Sequence, residues 1–224
     1  MTGSVDAVAR PWRYPDGMAH VPASERRPQL VQAALDLMAR EGVAAGSTRA
    51  IAAELGVAQA TVHYTFGTKK DLYRAVVEQL TAEFIGNVRA ADPGDGPFGE
   101  QIRALVHALW ENSTRGDGHC ELLSEFAALA MRDPDLQEIM SAMQREIEGT
   151  AAEMLTALAE AHGIRLALPA REVAVFFLAG FDGLTDRHLA QRTPGEPADP
   201  DTLRGLEVLI ATAVGLCLGA PAIS

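Results

Sequence analysis

The chain contains little cysteine and no long hydrophobic run. Only Cys120 and Cys217 are cysteines among its 224 residues, and their spacing matches neither a disulfide framework nor a paired metal-binding motif. No unbroken apolar stretch reaches the roughly 18 residues that a membrane-spanning helix requires. The N-terminal residues contain no apolar signal core. We therefore predict a soluble protein in a reducing, cytoplasmic setting, without a membrane partner.

Basic residues are also scarce. The chain has 19 Lys and Arg residues against 30 Asp and Glu residues, a net charge of −11. Residues 1–72 hold eight of the basic and seven of the acidic residues, so this part carries +1 and the remainder carries −12. An acidic surface repels polyanions. Any contact with nucleic acid should therefore depend on a few well-placed cations in the first third of the chain, and non-specific affinity should be modest.

Sequence motifs of common enzyme classes are missing as well. We find no nucleophile elbow, no phosphate-binding loop and no His-Glu-x-x-His motif, and the histidines are scattered. Alternating strand patterns are absent too, whereas apolar residues recur at helical spacing along the chain. The sequence thus predicts an all-α protein of about nine helices that is not an enzyme and needs no cofactor.

The pattern of residues 27–72 predicts three short helices separated by glycines. The first is predicted to begin near Pro28 and to end at Gly42. The second should start at Ser47 or Thr48, either of which can cap it, and bury three apolar side chains, which are Ile51, Ala52 and Leu55. A tight turn of residues 56–58 leads to a third helix of residues 59–65, which is short and mostly polar. Such a helix is more plausibly docked on a partner than buried, as in a helix-turn-helix reader of DNA.

The two helices predicted at residues 170–190 and 201–218 differ from the others because they are apolar almost all round. Each should therefore be buried on more than one side. Small residues along them permit close approach of neighbouring helices, namely Gly180, Gly183, Gly205, Ala211 and Gly215. Two such helices from each of two chains would form a four-helix interface, so we predict a homodimer; the alternative is an ordinary core within one chain.

The order of these features resembles the N-terminal domain of the TetR (tetracycline repressor) family of bacterial regulators. The resemblance rests on two segments in register, RPQLVQAALDLMAREG and STRAIAAELGVAQATVHYTFGTKKDL. The rest of the chain is similar to the family in helical layout, including GFDGL at residues 180–184. The resemblance implies a flexible arm (1–23), a helix-turn-helix DNA-binding domain (24–72) and a helical effector-binding and dimerisation domain (73–224).

The function implied by the resemblance is repression of transcription. A dimer would place both third helices in a palindromic operator of double-stranded DNA, until a small-molecule effector binds the helical body and releases it. An activator and a ligand- or redox-responsive protein without DNA binding are the alternatives. Arg10, Trp12 and Arg13 of the arm offer a minor-groove contact, although a disordered leader is the simpler interpretation.

Seven residues are predicted to contact DNA: Thr48, Arg49, Gln59, Thr61, His63, Tyr64 and Lys69. Lys69 suits a phosphate because it lies beside a helix N-terminus, and Gln59 has the geometry to read adenine. Each also has a structural interpretation, with Tyr64 as a packed core aromatic and Lys69 as a solvated charge. His63 and Ala58 depart from the family pattern, which bears on the DNA sequence that is read.

An aromatic and methionine lining is predicted for the effector pocket, so the effector should be largely apolar. The lining candidates are Trp110, Phe126, Met131, Met140, Met143, Phe176, Phe177 and Phe181. The polar candidates that would orient the effector are His107, Asn112, Glu121, Gln144 and Asp182. Each of these side chains taken alone is more simply explained as ordinary core or surface.

Two further types of site are considered near residue 120. His119, Cys120 and Glu121 together with His107 offer metal ligands, but chain neighbours rarely converge on one ion. We therefore predict a surface loop there and no metal site. Cys120 would sense oxidants only if its thiol were exposed and had a low pKa.

Overall fold

The protein is described by a computed structural model that covers residues 23–192 and 198–219. Within these ranges the chain forms nine α-helices and a single 3₁₀ turn, and no strand. This confirms the prediction of an all-α fold. The predicted N-terminal arm, with Arg10, Trp12 and Arg13, lies almost entirely outside the described residues.

The first four helices form the N-terminal unit and its connection to the body: α1 (Ala23–Glu41), α2 (Thr48–Glu54), α3 (Gln59–Phe66) and α4 (Lys69–Ala90), with the 3₁₀ turn (Val43–Ala45) after α1. The remaining five form the helical body: α5 (Phe98–Ser113), α6 (His119–Ala130), α7 (Pro134–Ala161), α8 (Ala170–Gln191) and α9 (Pro200–Leu218). Residues 92–97, which include two prolines and two glycines, form the loop between α4 and α5.

The helix ends of the N-terminal unit are defined by local hydrogen bonds. The Ser47 side chain accepts a hydrogen bond from the Ala50 amide at 3.2 Å and caps α2. Thr68 caps α4 in the same way by accepting from the Asp71 amide at 3.1 Å. Gly56 has a φ of +64°, which glycine adopts at little cost, so the chain can turn sharply between α2 and α3. The cap at Ser47 and the tight turn at residues 56–58 are thus confirmed.

Two details of this unit were predicted wrongly. Helix α1 begins at Ala23 rather than near Pro28, which lies inside the helix. A proline inside a helix removes one backbone hydrogen bond and crowds a carbonyl of the preceding turn. The Arg27 guanidinium carbon lies 5.8 Å from the centroid of the Phe66 ring, which ties this part of α1 to α3. Leu55 is 38% exposed rather than buried, because it forms the C-cap of α2 where the helix ends.

The main hydrophobic core joins the N-terminal unit to the body. Buried side chains of α1, α2, α3 and α4 pack with Leu122, Phe126 and Ala130 of α6 and with Leu136 and Ile139 of α7. Burial of several large side chains at this junction stabilises one arrangement of the two parts. The boundary predicted at residue 72 remains a prediction, but the core extends across it.

Polar contacts reinforce the same junction. Glu125 of α6 accepts a hydrogen bond from the backbone amide of Val43 at 2.9 Å. Lys70 at the start of α4 pairs with Asp135 at 2.8 Å and with Glu138 at 2.9 Å, both on α7. These pairs lie at the surface, so each contributes little to the free energy of unfolding. Together they fix the orientation of the N-terminal unit against α6 and α7.

Helices α8 and α9 pack closely against each other through glycines. A Cβ atom at Gly180 would lie 2.7 Å from Leu209, and one at Gly205 would lie 2.9 Å from Leu184. The predicted close approach at these two positions therefore occurs within one chain. A Cβ atom at Gly183, by contrast, would meet nothing within 4 Å. Five large apolar side chains of these two helices are exposed: Val175, Phe176, Leu203, Val208 and Leu218.

Candidate DNA-binding face and ligand cavities

Helix α3 presents a polar face to solvent and an apolar face to the core. Val62 is fully buried and Phe66 is 5% exposed, so these two side chains hold the helix in place. Tyr64 is 94% exposed. The core interpretation of Tyr64 is therefore wrong, and its ring extends from the surface with no packing role in this chain.

The starts of α2 and α3 meet at this surface. The Gln59 side-chain amide donates a hydrogen bond to the Thr48 hydroxyl at 3.1 Å. Sequence reasoning placed both residues at the DNA face but did not identify this contact. The amide oxygen of Gln59 remains available to a base edge, and the bond holds the side chain in one orientation before DNA arrives.

Two exposed cations lie in the first turns of α2 and α4. Arg49 is exposed in the first turn of α2, and Lys69 is exposed at the start of α4. The Lys69 ammonium nitrogen lies 5.0 Å from the centroid of the Tyr73 ring, a cation–π contact that orients it without neutralising it. The neighbouring Lys70 is instead paired with α7. The two adjacent lysines therefore have different surroundings.

Thr61 and His63 are the remaining predicted DNA contacts, and both lie on α3. His63 is exposed, whereas Thr61 is partly buried and its carbonyl oxygen accepts a hydrogen bond from the Thr65 hydroxyl at 2.8 Å. Of the seven candidates, Arg49, Gln59, His63, Tyr64 and Lys69 are exposed, whereas Thr48 and Thr61 are partly buried. Their role in DNA contact stays a prediction.

The helical body contains an apolar cavity of about 130 Å³, which we call the first cavity. Its walls come from α4, α5, α7, α8 and α9, and they include Phe84, Leu105, Ile147, Leu155 and Phe177. Thr150 and Cys217 are the residues with polar atoms among its lining, and burial raises the pKa of the Cys217 thiol to about 11. This cavity suits an apolar group.

A second cavity of about 240 Å³ lies beside the first and shares Phe84, Ile147 and Leu178 with it. Its walls come from α4 to α8 and combine apolar and polar side chains: Phe84, Ser113, Cys120, Leu123, Ser124, Ala127, Met140, Met143, Gln144, Ile147, Leu178, Phe181, Asp182, Thr185 and Asp186. The predicted pocket residues Met140, Met143, Gln144 and Phe181 are in this lining, and Phe177 lines the first cavity.

Three other predicted pocket residues line neither cavity. Phe126 is fully buried in the main core, where its ring packs edge-on against Tyr73. Trp110 is buried against Phe181. His107 lies 2.9 Å from Glu207 of α9 near the surface. Helical spacing shows which side chains point inward, but not whether they meet another side chain or an open space.

The remaining candidates also lie elsewhere. Met131 is 84% exposed at the end of α6, and Phe176 is 45% exposed on the outer face of α8. Asn112 accepts a hydrogen bond from Asn87 at 2.9 Å. Glu121 pairs with Arg192, which follows α8. Of these polar candidates, Asp182 lines the second cavity, whereas Glu121 lines a separate polar pocket beside Arg40 of α1.

Ten residues of the second cavity were not predicted as lining, among them Thr185 and Asp186, which belong to a cavity-lining stripe of α8, and Leu123 and Ser124 of α6. The stripe on α8 follows the spacing 178, 181, 182, 185, 186, which is one face of a helix. This spacing was visible in the sequence, but the apolar character of α8 on its other sides obscured it.

The region around Cys120 differs from its prediction. His119, Cys120 and Glu121 form the first turn of α6 rather than a surface loop. The Cys120 thiol lines the second cavity, and its pKa is raised to about 11, chiefly by burial. A thiol that stays protonated is a poor nucleophile, so the oxidant-sensing alternative loses its chemical basis.

Within the described ranges, no helix has both the length and the apolar character needed to cross a membrane. The two apolar helices α8 and α9 carry charged residues along their length, such as Asp182, Asp186 and Glu207.

Two family models match the chain. Residues 30–76 match the model described as bacterial regulatory proteins of the tetR family, and residues 98–211 match the C-terminal domain of BetI-type transcriptional repressors. The first match covers the exposed face of α2 and α3, and the second covers the parts of both cavities that α5 to α8 form. The two matches therefore correspond to the two parts of the structure.

Relatives and solved structures agree with these matches. The chain is 26% identical to the nicotine-responsive transcriptional repressor HdnoR of Paenarthrobacter nicotinovorans, over 86% of this chain and 97% of the relative. It is 30% identical to the transcriptional repressor Rv3405c of Mycobacterium tuberculosis, over 79% and 87%. The multidrug binding protein EbrR complexed with ethidium has a TM-score of 0.59 at 26% identity, covering 83% of this chain and 97% of that chain. These relatives are regulators or binding proteins and not enzymes.

Proposed function

Because this chain belongs to the TetR family of DNA-binding transcriptional regulators, we propose that it is a repressor which binds a palindromic operator as a homodimer and is released by a small molecule. The observation that carries the proposal is the exposed polar face of α3. A helix held by two buried side chains, with Gln59, His63 and Tyr64 exposed to solvent, fits the major groove of DNA.

The proposed contacts divide into two groups. Gln59, Tyr64 and His63 of α3 extend far enough to reach base edges or the sugar-phosphate backbone. Lys69 and Arg49 flank α3 at the starts of α4 and α2, where cations and free helix amides attract phosphates. The first group would set the sequence that is read, and the second would set affinity for DNA in general.

The uncovered face of α8 and α9 supports a dimer. We define the α8–α9 face by five apolar residues exposed in the single chain: Val175, Phe176, Leu203, Val208 and Leu218. Soluble proteins rarely leave such a patch open to water. Gly183 faces open space and leaves room for a partner backbone. A two-fold pairing of this face with its copy would give the four-helix interface and two reading helices.

Ligand release requires a connection between the cavities and α3, and α6 offers one. Its residues Leu123 and Ser124 line the second cavity, whereas Leu122 and Phe126 pack into the core shared with α1 to α4. Glu125, on the same helix, accepts the hydrogen bond from Val43. A ligand that displaces α6 would therefore move the N-terminal unit and change the spacing of the two reading helices.

Relatives support the existence of a ligand. One is named as nicotine-responsive and another was solved with ethidium, and the cavities of this chain have mostly apolar walls. The effector of this chain is accordingly proposed to be a small organic molecule with a largely apolar body.

Selection of bound fragments from sheared genomic DNA, followed by footprinting, tests the proposal. We expect protection of a palindromic site close to a promoter, with half-sites about one helical turn of DNA or a multiple of it apart. Val62→Ala, which loosens α3 in its seat, is expected to weaken this binding, whereas Thr156→Ala on the exposed side of α7 is not. Absence of any protected site in the whole genomic pool would contradict the proposal.

A further inference from the structure

We propose that the second cavity binds a protonated amine attached to an apolar body, with Asp182 and Asp186 facing the positive charge and Thr185 accepting a hydrogen bond from it. This inference rests on the proposed function, since the amine would be the effector that releases the DNA. It specifies the charge of the effector, which the apolar walls alone leave open.

The charge of the cavity wall is the first support. Asp182 and Asp186 both line the second cavity, and none of the residues in its described lining is Lys, Arg or His. Asp186 accepts a hydrogen bond from the Ser124 hydroxyl at 2.6 Å. Asp182 has neither a hydrogen bond nor an ion pair within the described part of the chain. A negative wall without a countercharge attracts a cation and repels an anion.

A buried hydroxyl group is the second, independent support. Thr185 is 8% exposed and lines the second cavity, and its Oγ1 atom has no hydrogen-bond partner among the described residues. Buried polar groups in native proteins are normally paired, because leaving one unpaired is costly. Thr185 lies one helical turn from Asp182, so a single N–H-bearing head group can reach both.

The titration of Asp182 agrees with this arrangement. Burial, together with the negative charge of Asp186, raises the pKa of Asp182 to about 6. Asp182 keeps contact with solvent even though the surrounding protein removes part of its hydration. At pH 7 the carboxylate is mostly ionised and destabilised, and a bound cation would lower its pKa again.

The remaining walls fit the apolar part of such a ligand. Phe84 and Phe181 present aromatic rings, which attract cations by their faces, and Met140 and Met143 adapt to irregular shapes. The first cavity adjoins the second along Phe84 and is almost entirely apolar. An amine with its head group near Asp182 would therefore extend its apolar end toward the first cavity.

Four probes of equal chain length separate charge from shape: 3-phenylpropylamine, its trimethylammonium derivative, 3-phenyl-1-propanol and 4-phenylbutyrate. Binding is measured by calorimetry at pH 7.5, where the amine is protonated. We expect the amine to bind at least about tenfold more tightly than the alcohol, as one charge-assisted contact implies, and the carboxylate to bind more weakly still.

Variants assign the effect to residues. Asp182→Asn should lower amine affinity about tenfold and alcohol affinity less than twofold. Thr185→Val should lower affinity for the amine about threefold and leave the trimethylammonium probe unchanged, because that probe has no N–H group to donate. The control is Asp95→Asn, the same chemical change in the exposed loop before α5, and it should alter none of these values. Thermal melting checks that each variant is folded.

Equal affinity of the amine and the alcohol, or an unchanged amine affinity in Asp182→Asn, would overturn the inference. DNA binding to genomic fragments is measured on the same preparations. If the amine binds through Asp182 but no DNA is bound, then the proposed function fails while the cavity assignment stands. If DNA is bound and only neutral probes release it, then the cavity assignment fails while the proposed function stands.

Discussion

The molecule has two uncovered helical faces of opposite chemistry. The exposed face of α3 is polar and includes Tyr64, whose side chain is almost wholly exposed. The α8–α9 face is apolar, with Phe176 and Val208 about half exposed. The first lies in the smaller, near-neutral part of the chain and the second in the acidic body.

This difference indicates what each face meets. A polar helix beside Lys69 and Arg49 can exchange water for phosphates and base edges without leaving apolar surface exposed. An apolar face on a strongly acidic body gains most from a protein surface of the same kind, and a second copy offers one. Neither face alone makes a two-fold reader, because the α8–α9 face would set the distance between the two copies of α3.

The largest expected effect comes from placing a charge in the α8–α9 face. Val208→Asp would bury two carboxylates in the dimer interface, so we expect a monomer by light scattering at micromolar concentration. Operator affinity should fall by at least about 100-fold, because a single reading helix loses the second half-site. Met131→Asp is the control, since Met131 is exposed at the end of α6 outside this face. A Val208→Asp protein that stayed dimeric would show that the α8–α9 face is not the dimer interface.

A smaller and more selective effect is expected on α3. Gln59→Ala should cost about 1 to 3 kcal/mol on the preferred operator, measured by fluorescence anisotropy. On operators changed at the base pair that Gln59 reads, the loss should be close to zero. The control is Gln32→Ala on α1, whose side chain bonds Asp36 instead. Equal losses on all operators would show that Gln59 acts only through its bond to Thr48.

The smallest effect is expected at the flanking cation. Lys69→Ala should weaken binding by about 1 kcal/mol on every DNA sequence. The number of counterions released on binding, measured from the salt dependence of the affinity, should fall by about one. Lys70→Ala is a matched control, because that lysine is paired with Asp135 and Glu138 of the body. An equal change in salt dependence for both variants would contradict a specific phosphate contact at Lys69.

Local features of this fold were predictable from the sequence. Such features depend on residues close in the chain, so helical spacing and capping residues predict them. Examples are the caps at Ser47 and Thr68, the turn at Gly56 and the bounds of α7. The start of α1 was missed because Pro28 is usual at the first helical position but is tolerated further in when the preceding residues find tertiary contacts, as Arg27 does with Phe66.

The cavities were less predictable, because they depend on contacts between distant helices. Phe126 and Phe181 both lie on inward faces, yet one is packed in the main core and the other lines an open space. Thr185 was not predicted as a pocket residue, because the hydroxyl of a threonine within a helix usually donates a hydrogen bond to a carbonyl of the preceding turn. Its lack of a partner became apparent only with the neighbouring helices in place.

The number of chains bound to one operator tests most directly whether this protein reads DNA as a two-fold dimer. Sedimentation of the protein with a selected palindromic duplex, and with a duplex that contains one half-site, measures this number. We expect two chains on the palindrome, with a footprint of two-fold symmetry, and at least about 100-fold weaker binding to the half-site. A single chain bound to the palindrome with the same affinity as to the half-site would contradict the two-fold dimer.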